Sequence, residues 1–420
     1  MPLSPHPSEN GMIQIGMSQG LNPSERFVYS ACKASFLSLW SYANPRGGPG
    51  KELCDILVVC EPDLIVFSVK DIDVSSAKDP MVGWQRWRKK AIEQSASQIY
   101  GAERWLDSAM HVTRSDGTPG LALPPVSERR VHRVAVALGS KGQAPIEFGD
   151  FGKGFVHVFD EISFAVILRE LDTVTDFVRY LRAKEDLVAR VHLDFTGSEE
   201  DLLAYYLYGG RTFPDTHTGI IVGDGLWRQF EEKDEVKAKR LADKESYVWD
   251  RMIEIWANDV LRGNLELGSS PKHSELALRV MAREDRFSRR LLGCAFHEFL
   301  DESSTGKVRS RMLKAPSNVV YVFLALPHGT DRQFRMAELG NRCLVARGRT
   351  ADCTTVIGLA TEQYQKGKGF SLDLSYLYVK DWTADGQRVM EDMQREFGYF
   401  VNPVKTEGVE DEYPGTSPKP

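Results

Sequence analysis

Two runs of almost unbroken apolar residues, Ile56–Cys60 and Leu64–Val69, flank Glu61-Pro62-Asp63. β-Branched and aromatic runs on either side of a Pro/Asp turn predict a β-hairpin. Because polar residues scarcely interrupt them, the pattern predicts strands covered on both faces, near the centre of a mixed sheet.

Around the hairpin the periodicity turns helical. Asn22-Pro23-Ser24-Glu25 has a cap residue, a proline in the first turn and an acid three residues on, which predicts a helix start. Val28, Ala31, Cys32, Ser35, Phe36, Leu39 and Trp40 then follow the helical spacing. Ser41–Gly50 is expected to be a loop. A second helix is predicted over Trp84–Leu106, with Trp84, Trp87, Ala91, Ile99, Ala102 and Leu106 on its core face. Residues 114–128 are expected to be a loop, and Arg129–Leu138 a strand. Phe155–Phe159 and Ile162–Leu168 are read as two more strands, and Thr173 as the cap of another helix.

Further along, Glu231–Leu261 is predicted to be one long helix and Ser274–Leu300 one or two more. Asn318–Leu326 is a strand, followed by a helix over about Asp331–Arg347, strands at Thr354–Ala360 and Leu372–Val379, and a helix over Gly386–Phe397. This second alternation predicts a small α/β unit. Its loop Pro327-His328-Gly329-Thr330 precedes a helix N-terminus, where an anion can bind. The expected organisation is a disordered 1–20, a first domain over 21–200, a mostly helical connector over 201–310, a small α/β domain over 311–400, and a disordered tail over 401–420.

Composition narrows the function classes. With 420 residues the chain has room for two or three domains. A net charge of −6 does not advertise nucleic-acid binding, so any such contact needs a local basic face. The six cysteines form no CxxC pair and read as buried thiols of a cytoplasmic protein. No apolar run spans a membrane, and the first residues lack the basic start and apolar run of a signal peptide. Walker A and GxGxxG patterns are absent.

The candidate chemistry lies at the hairpin's open end. Asp55 enters the first strand and Lys70 ends the second, so antiparallel pairing brings an acid that can hold a metal beside a lysine that can orient water. Ser68 and Lys70 share a face. Asp55 joins that face only if the turn has an even count; a three-residue loop Glu61–Asp63 would turn it away. The second helix carries a stripe of Arg86, Lys90, Gln94 and Gln98, a spacing suited to a backbone phosphate.

The acid before the hairpin and the Ser68-Val69-Lys70 triplet resemble the core of the PD-(D/E)XK nuclease superfamily, with Ser68 in the triplet's acidic position. The helix–hairpin–helix–strand order resembles the same core and covers about residues 22–190. The resemblance implies an α/β fold with a restriction-endonuclease-like mixed-sheet core, followed here by a helical region and the second α/β unit. It implies a Mg²⁺- or Mn²⁺-dependent DNA endonuclease, of the kind used in bacterial defence or repair. Asp55 with Glu25 or Glu52 would hold the metal, while Lys70, Ser68 and Gln98 would serve the reaction. Lys90, Gln94, Arg129, Arg130 and Arg133 would contact DNA. Glu25 reads equally as a capping acid, and Glu52 as a solvated residue ahead of the strand. The serine also supports an alternative: the same fold without catalysis, binding nucleic acid or a protein partner. Residues 201–400 would then serve a protein partner or self-association. A purely structural protein is the third reading.

Overall fold

The computed structural model describes residues 21–401, apart from 49, 75–79, 143–145, 216–217, 264–269, 305–308, 366, 368 and 370, together with residues 410–415. The expected disorder of 1–20 falls outside these residues. The chain forms two compact units. The first holds residues up to Lys33 and Trp40–Phe164; the second holds Ala34–Leu39 and everything from Ala165. The division expected near residue 200 therefore falls inside the second unit. Both units are mixed α/β.

In the first unit, α1 (Pro23–Phe36) leads to β1 (Ser41–Ala43), β2 (Ile56–Cys60) and β3 (Asp63–Asp71). Next come α2 (Pro80–Arg88), a π-helical turn (Lys89–Glu93) and α3 (Gln94–Leu106). The short pair β4 (His111–Thr113) and β5 (Pro119–Ala122) precedes β6 (Arg130–Leu138), β7 (Phe148–Asp150) and β8 (Phe155–Phe159), and the unit ends within α4 (Glu161–Glu170). The six-stranded sheet runs β1-β2-β3-β6-β8-β7. β2 and β3 are antiparallel, β3 and β6 parallel, so the hairpin does lie inside a mixed sheet.

Every residue of β2 is buried, as is all of β3 up to Val69. On one face, Trp87, Ala91, Ile99 and Leu106 pack with Leu57, Val66 and Ala135. The alternation of β3 sends Phe67 to the other face, where its ring meets Phe164 at 6.3 Å.

Four expectations need correction here. Ile162–Leu168 is helical in α4, not a strand. The Asp160 carboxylate accepts the Ile162 and Ser163 backbone N–H groups at 3.1 and 2.8 Å, so a helix cap overrides the β-branched composition. Ser41–Gly50 is not all loop, because Ser41 pairs with Val58 and Ala43 with Ile56. Residues 114–128 include β5, which pairs with β4. The helix over Trp84–Leu106 starts at Pro80 and contains a π turn at Lys89–Glu93. In that wider turn both Ala91 and Ile92 are buried.

The second unit begins with α5 (Val174–Arg190), β9 (His192–Phe195), α6 (Glu199–Tyr208), β10 (Gly219–Val222), α7 (Leu226–Glu231) and α8 (Asp234–Ala242). It continues with α9 (Tyr247–Arg262), α10 (Pro271–Ala282), α11 (Arg286–Ser303), β11 (Arg309–Lys314), β12 (Val320–Leu326), α12 (Arg332–Arg349), β13 (Thr355–Glu362), β14 (Leu372–Tyr378) and α13 (Ala384–Phe397). Thr173 caps α5 by accepting the Asp176 N–H, as the sequence predicts. Ser198 and Asp201 form a capping box at α6 rather than a domain end.

The long helix expected over Glu231–Leu261 is broken. Asp243–Ser246 is a 3₁₀ turn between α8 and α9. Its Asp243 carboxylate takes Lys239 Nζ at 2.6 Å and Arg290 Nη1 at 3.0 Å. The pair with Arg290, 47 residues away, engages the chain at this break. The four-stranded sheet runs β11-β12-β13-β14, with β12 and β13 parallel and the outer pairs antiparallel. The sequence reading omitted β11, whose RSRMLK lacks apolar alternation. Leu339, Cys343 and Ala346 of α12 pack on Val320, Val322, Val356 and Ala360. The approach is close: a Cβ on Gly358 would lie 2.6 Å from Cys343 Sγ.

Of the tail expected to be disordered, residues 410–415 make defined contacts with the second unit. No helix among the described residues is long and apolar enough to cross a membrane.

Candidate active site

Cys60 pairs with Asp63 and Ile56 with Phe67, so the connecting turn has an even count. Extending that register by one residue sets Asp55 opposite Ser68, on the face that also carries Lys70. The local geometry follows. Asp55 is 4% exposed, and its Oδ2 accepts the Val69 backbone N–H at 2.5 Å. Lys70 Nζ lies 3.9 Å from the same oxygen.

Gln98 closes the group from α3. Its Oε1 accepts from Ser68 Oγ at 3.0 Å and Lys70 Nζ at 2.9 Å, and its Nε2 reaches Asp55 Oδ1 at 3.4 Å. Ser68 is fully buried, so its hydroxyl is satisfied within the protein. One glutamine thereby links the acid, the serine and the lysine.

Glu52 joins from the segment before β2. That segment is pinned on both sides: Arg46 bridges to Glu52, Leu53 N–H donates to Pro45 O at 2.8 Å, and Asn44 N–H donates to Asp55 O at 2.9 Å. Partial burial, and after it the Asp55 carboxylate, push Glu52 up to about 7; Glu25 adds to the rise and Lys70 opposes it.

Glu25 lies within electrostatic reach of Glu52 but is engaged as a capping acid. It accepts Asn22 Nδ2 at 2.6 Å and Asn22 N at 3.2 Å, while its own N–H donates to Asn22 Oδ1 at 2.8 Å. The sequence reading missed Asp71, which accepts from Ser24 Oγ and ties the start of α1 to the end of β3. No sequence signal distinguishes that aspartate from a solvated one.

The proposed phosphate-contacting residues divide into two groups. Lys90 and Gln94 are exposed on the same helical segment as Gln98. The arginine cluster lies elsewhere. β6 runs parallel to β3, with Arg130 beside Asp63 and Ala137 beside Lys70. Arg130 therefore sits about 23 Å along the strands from Lys70. Arg129 donates to the backbone oxygens of Pro124 and Ala109 at 2.6 and 2.7 Å and also to Leu106 O, which holds the C-terminal end of α3. Arg133 forms a two-pronged pair with Glu103, at 2.7 and 2.5 Å. Arg130 thus lies at the other end of the strands from Lys70, while Arg129 and Arg133 are engaged by backbone oxygens and Glu103. A shared basic character along a strand says nothing about which end of the strand each residue occupies.

Among the described residues, no group of three His, Cys, Asp or Glu side chains is gathered to hold a metal. The donor chemistry still fits a hard cation bound through two ligands. The Asp55 carboxylate raises Glu52, so the two acids lie close enough to offer a divalent cation two carboxylate ligands. Mg²⁺ is commonly held by one or two carboxylates, with water and phosphate oxygens completing its shell.

In the second unit, the loop before α12 ends in Asp331, whose carboxylate accepts the Phe334 N–H at 2.9 Å and already caps the helix. No protein-family model, curated protein or solved structure matches the chain. What the site does must therefore be argued from its own residues.

Proposed function

We propose that the first unit is a divalent-metal-dependent nuclease of PD-(D/E)XK type, acting on DNA at the Asp55–Lys70 end of the hairpin. One observation carries the reading: an acid from the first strand, the Ser68-Val69-Lys70 triplet and a glutamine of the following helix converge within hydrogen-bonding distance on one face of a mixed sheet. Glu52 would stand in for the acid that Ser68 replaces.

In this mechanism Asp55 and Glu52 would hold Mg²⁺, which would supply water activation and charge neutralisation at the phosphate. Lys70, 3.9 Å from Asp55, orients the attacking water or neutralises charge developing on the phosphoryl oxygens. Gln98 holds the Lys70 ammonium in place, and Ser68 fixes the glutamine amide so that its oxygen faces the lysine. Exposed Lys90 and Gln94 contact the backbone phosphate.

A second reading is supported by the closed network itself. Ser68 brings no charge, and Lys70 and Ser68 both end on Gln98. The same fold would then bind nucleic acid or a protein without cleaving. Incubation of the full chain with plasmid and linear DNA in Mg²⁺ or Mn²⁺, beside a gel shift on the same samples, separates the two. Cleavage supports the nuclease. A shift without cleavage under any divalent metal supports the binding module, and neither effect on DNA removes both DNA readings.

A further inference from the structure

Far from the hairpin in sequence, the chain's C-terminal segment occupies a charged socket in the second unit. The Glu412 carboxylate accepts from Arg211 Nη2 at 2.7 Å and from Arg211 Nε at 3.1 and 3.2 Å, with Lys239 Nζ 3.7 Å away. Arg290 Nη2 donates to the backbone oxygens of Asp411 and Glu412 at 2.8 and 3.1 Å.

The socket's own charges do not balance without the tail. Its cations are Arg211, Lys239 and Arg290. Arg211 is held by Asp176 at 2.6 Å, and Lys239 and Arg290 share Asp243 at 2.6 and 3.0 Å. Among the described residues, three cations against two carboxylates leave one positive charge; Asp285, which also acts on Arg211, is itself paired with Arg179 at 3.5 Å, and the three cationic side chains are each 10% exposed or less. A buried excess charge is costly unless paired, so the socket is built for one more carboxylate.

Arg211 is also set deliberately. Its φ of 64° lies in the left-handed region that side-chain-bearing residues seldom adopt. The tail itself brings little secondary structure: residues 410–415 form neither helix nor strand. It is held through one carboxylate and two backbone oxygens, and the Tyr413 hydroxyl is buried beside them.

We infer that this socket is a peptide-binding site for an acidic residue followed by tyrosine, filled in cis by Asp411-Glu412-Tyr413. The tail is a tethered ligand and not part of the folding core. A bidentate guanidinium–carboxylate pair supplies the specificity, and the two arginine-bound carbonyls fix the direction of the peptide.

The test uses full-length chains and a fluorescein-labelled peptide carrying residues 408–416, read by anisotropy. In the wild type the tail competes with the added peptide. In E412K the lysine repels Arg211, Lys239 and Arg290, which leaves the socket open. The E412K chain is expected to bind the peptide at least tenfold more tightly than the wild type does. A peptide with glutamine in place of Glu412 is expected to lose at least tenfold. Should the introduced lysine prevent folding, an E412Q/Y413A chain replaces E412K. Equal affinity for wild type and opened chain would overturn the inference, as would no binding by an opened chain that melts cooperatively. Loss of a cooperative melt in E412Q/Y413A would also overturn it, because the tail would then belong to the core.

Discussion

Asp55 and Lys70 face one another across neighbouring antiparallel strands, with Oδ2 and Nζ 3.9 Å apart. The pairing depends on the even turn between β2 and β3: moving the register by one residue would send Asp55 to the opposite face of the sheet. The site is thus a product of hairpin geometry, and the helix behind it contributes Gln98.

In the proposed nuclease, Ser68 stands where an acid would complete the metal-binding triplet. Ser68→Asp adds a third carboxylate beside Asp55 and Glu52, in a fully buried position. Without metal the variant is expected to melt below the wild type, because like charges then crowd one site. With millimolar Mg²⁺ it is expected to gain more in Tm than the wild type gains. Paired melting curves with and without Mg²⁺ check this, and an equal metal response in both proteins would argue against a metal held by Asp55.

Glu284 gives the second unit a pH-dependent stability. Its Oε1 accepts from Ser317 Oγ at 2.6 Å and Tyr321 Oη at 2.9 Å, while Oε2 is buried with no hydrogen-bond partner. Burial pushes the group from its ordinary 4.5 up to about 7. The folded state therefore binds more protons than the unfolded state between these values, so stability falls as pH rises. The contribution is complete below about 4.5 and is lost as pH passes about 7. Glu284→Gln should remove this component, which is on the order of 3 kcal/mol across the window. Denaturant melts at pH 5 and pH 8 test it: the wild type should lose more stability than the variant on going to pH 8.

Gly293 marks a close approach of α11 to the 3₁₀ turn. A Cβ there would lie 2.4 Å from Glu245 O, which is main chain. Gly293→Ala should destabilise the protein by about 1–3 kcal/mol despite alanine's better helix propensity. A Tm at or above the wild-type value would show that α11 can shift without cost.

Much of the fold was legible because apolar patterning is local. The hairpin, β6, α5, β12 and α12 carry their own period or cap, and each appears near its expected place. α4 was misread because Ile162–Leu168 has strand composition, and only the Asp160 cap before it marks a helix. The break between α8 and α9 is engaged by Arg290, which lies 47 residues beyond Asp243. No local pattern carries that information.

At the site, Ser68 and Lys70 share a face by strand alternation, whereas the face of Asp55 depended on the turn count, which only the pairing of Cys60 with Asp63 makes even. The arginines at 129, 130 and 133 were grouped by charge alone. The parallel pairing of β3 with β6 carries Arg130 to the other end of the sheet, while Arg129 and Arg133 hold backbone oxygens and Glu103. Replacing Arg130 should accordingly leave cleavage near the wild-type rate, in contrast to Lys90.

The most direct measurement is the single-turnover rate of DNA cleavage in Mg²⁺ for the full-length wild type, Asp55→Asn and Lys70→Ala, each with its melting curve. The account predicts cleavage by the wild type and a loss of at least about a hundredfold in each variant while both remain folded. Cleavage that persists in both folded variants would contradict it, because the chemistry would then lie outside the Asp55–Lys70 pair.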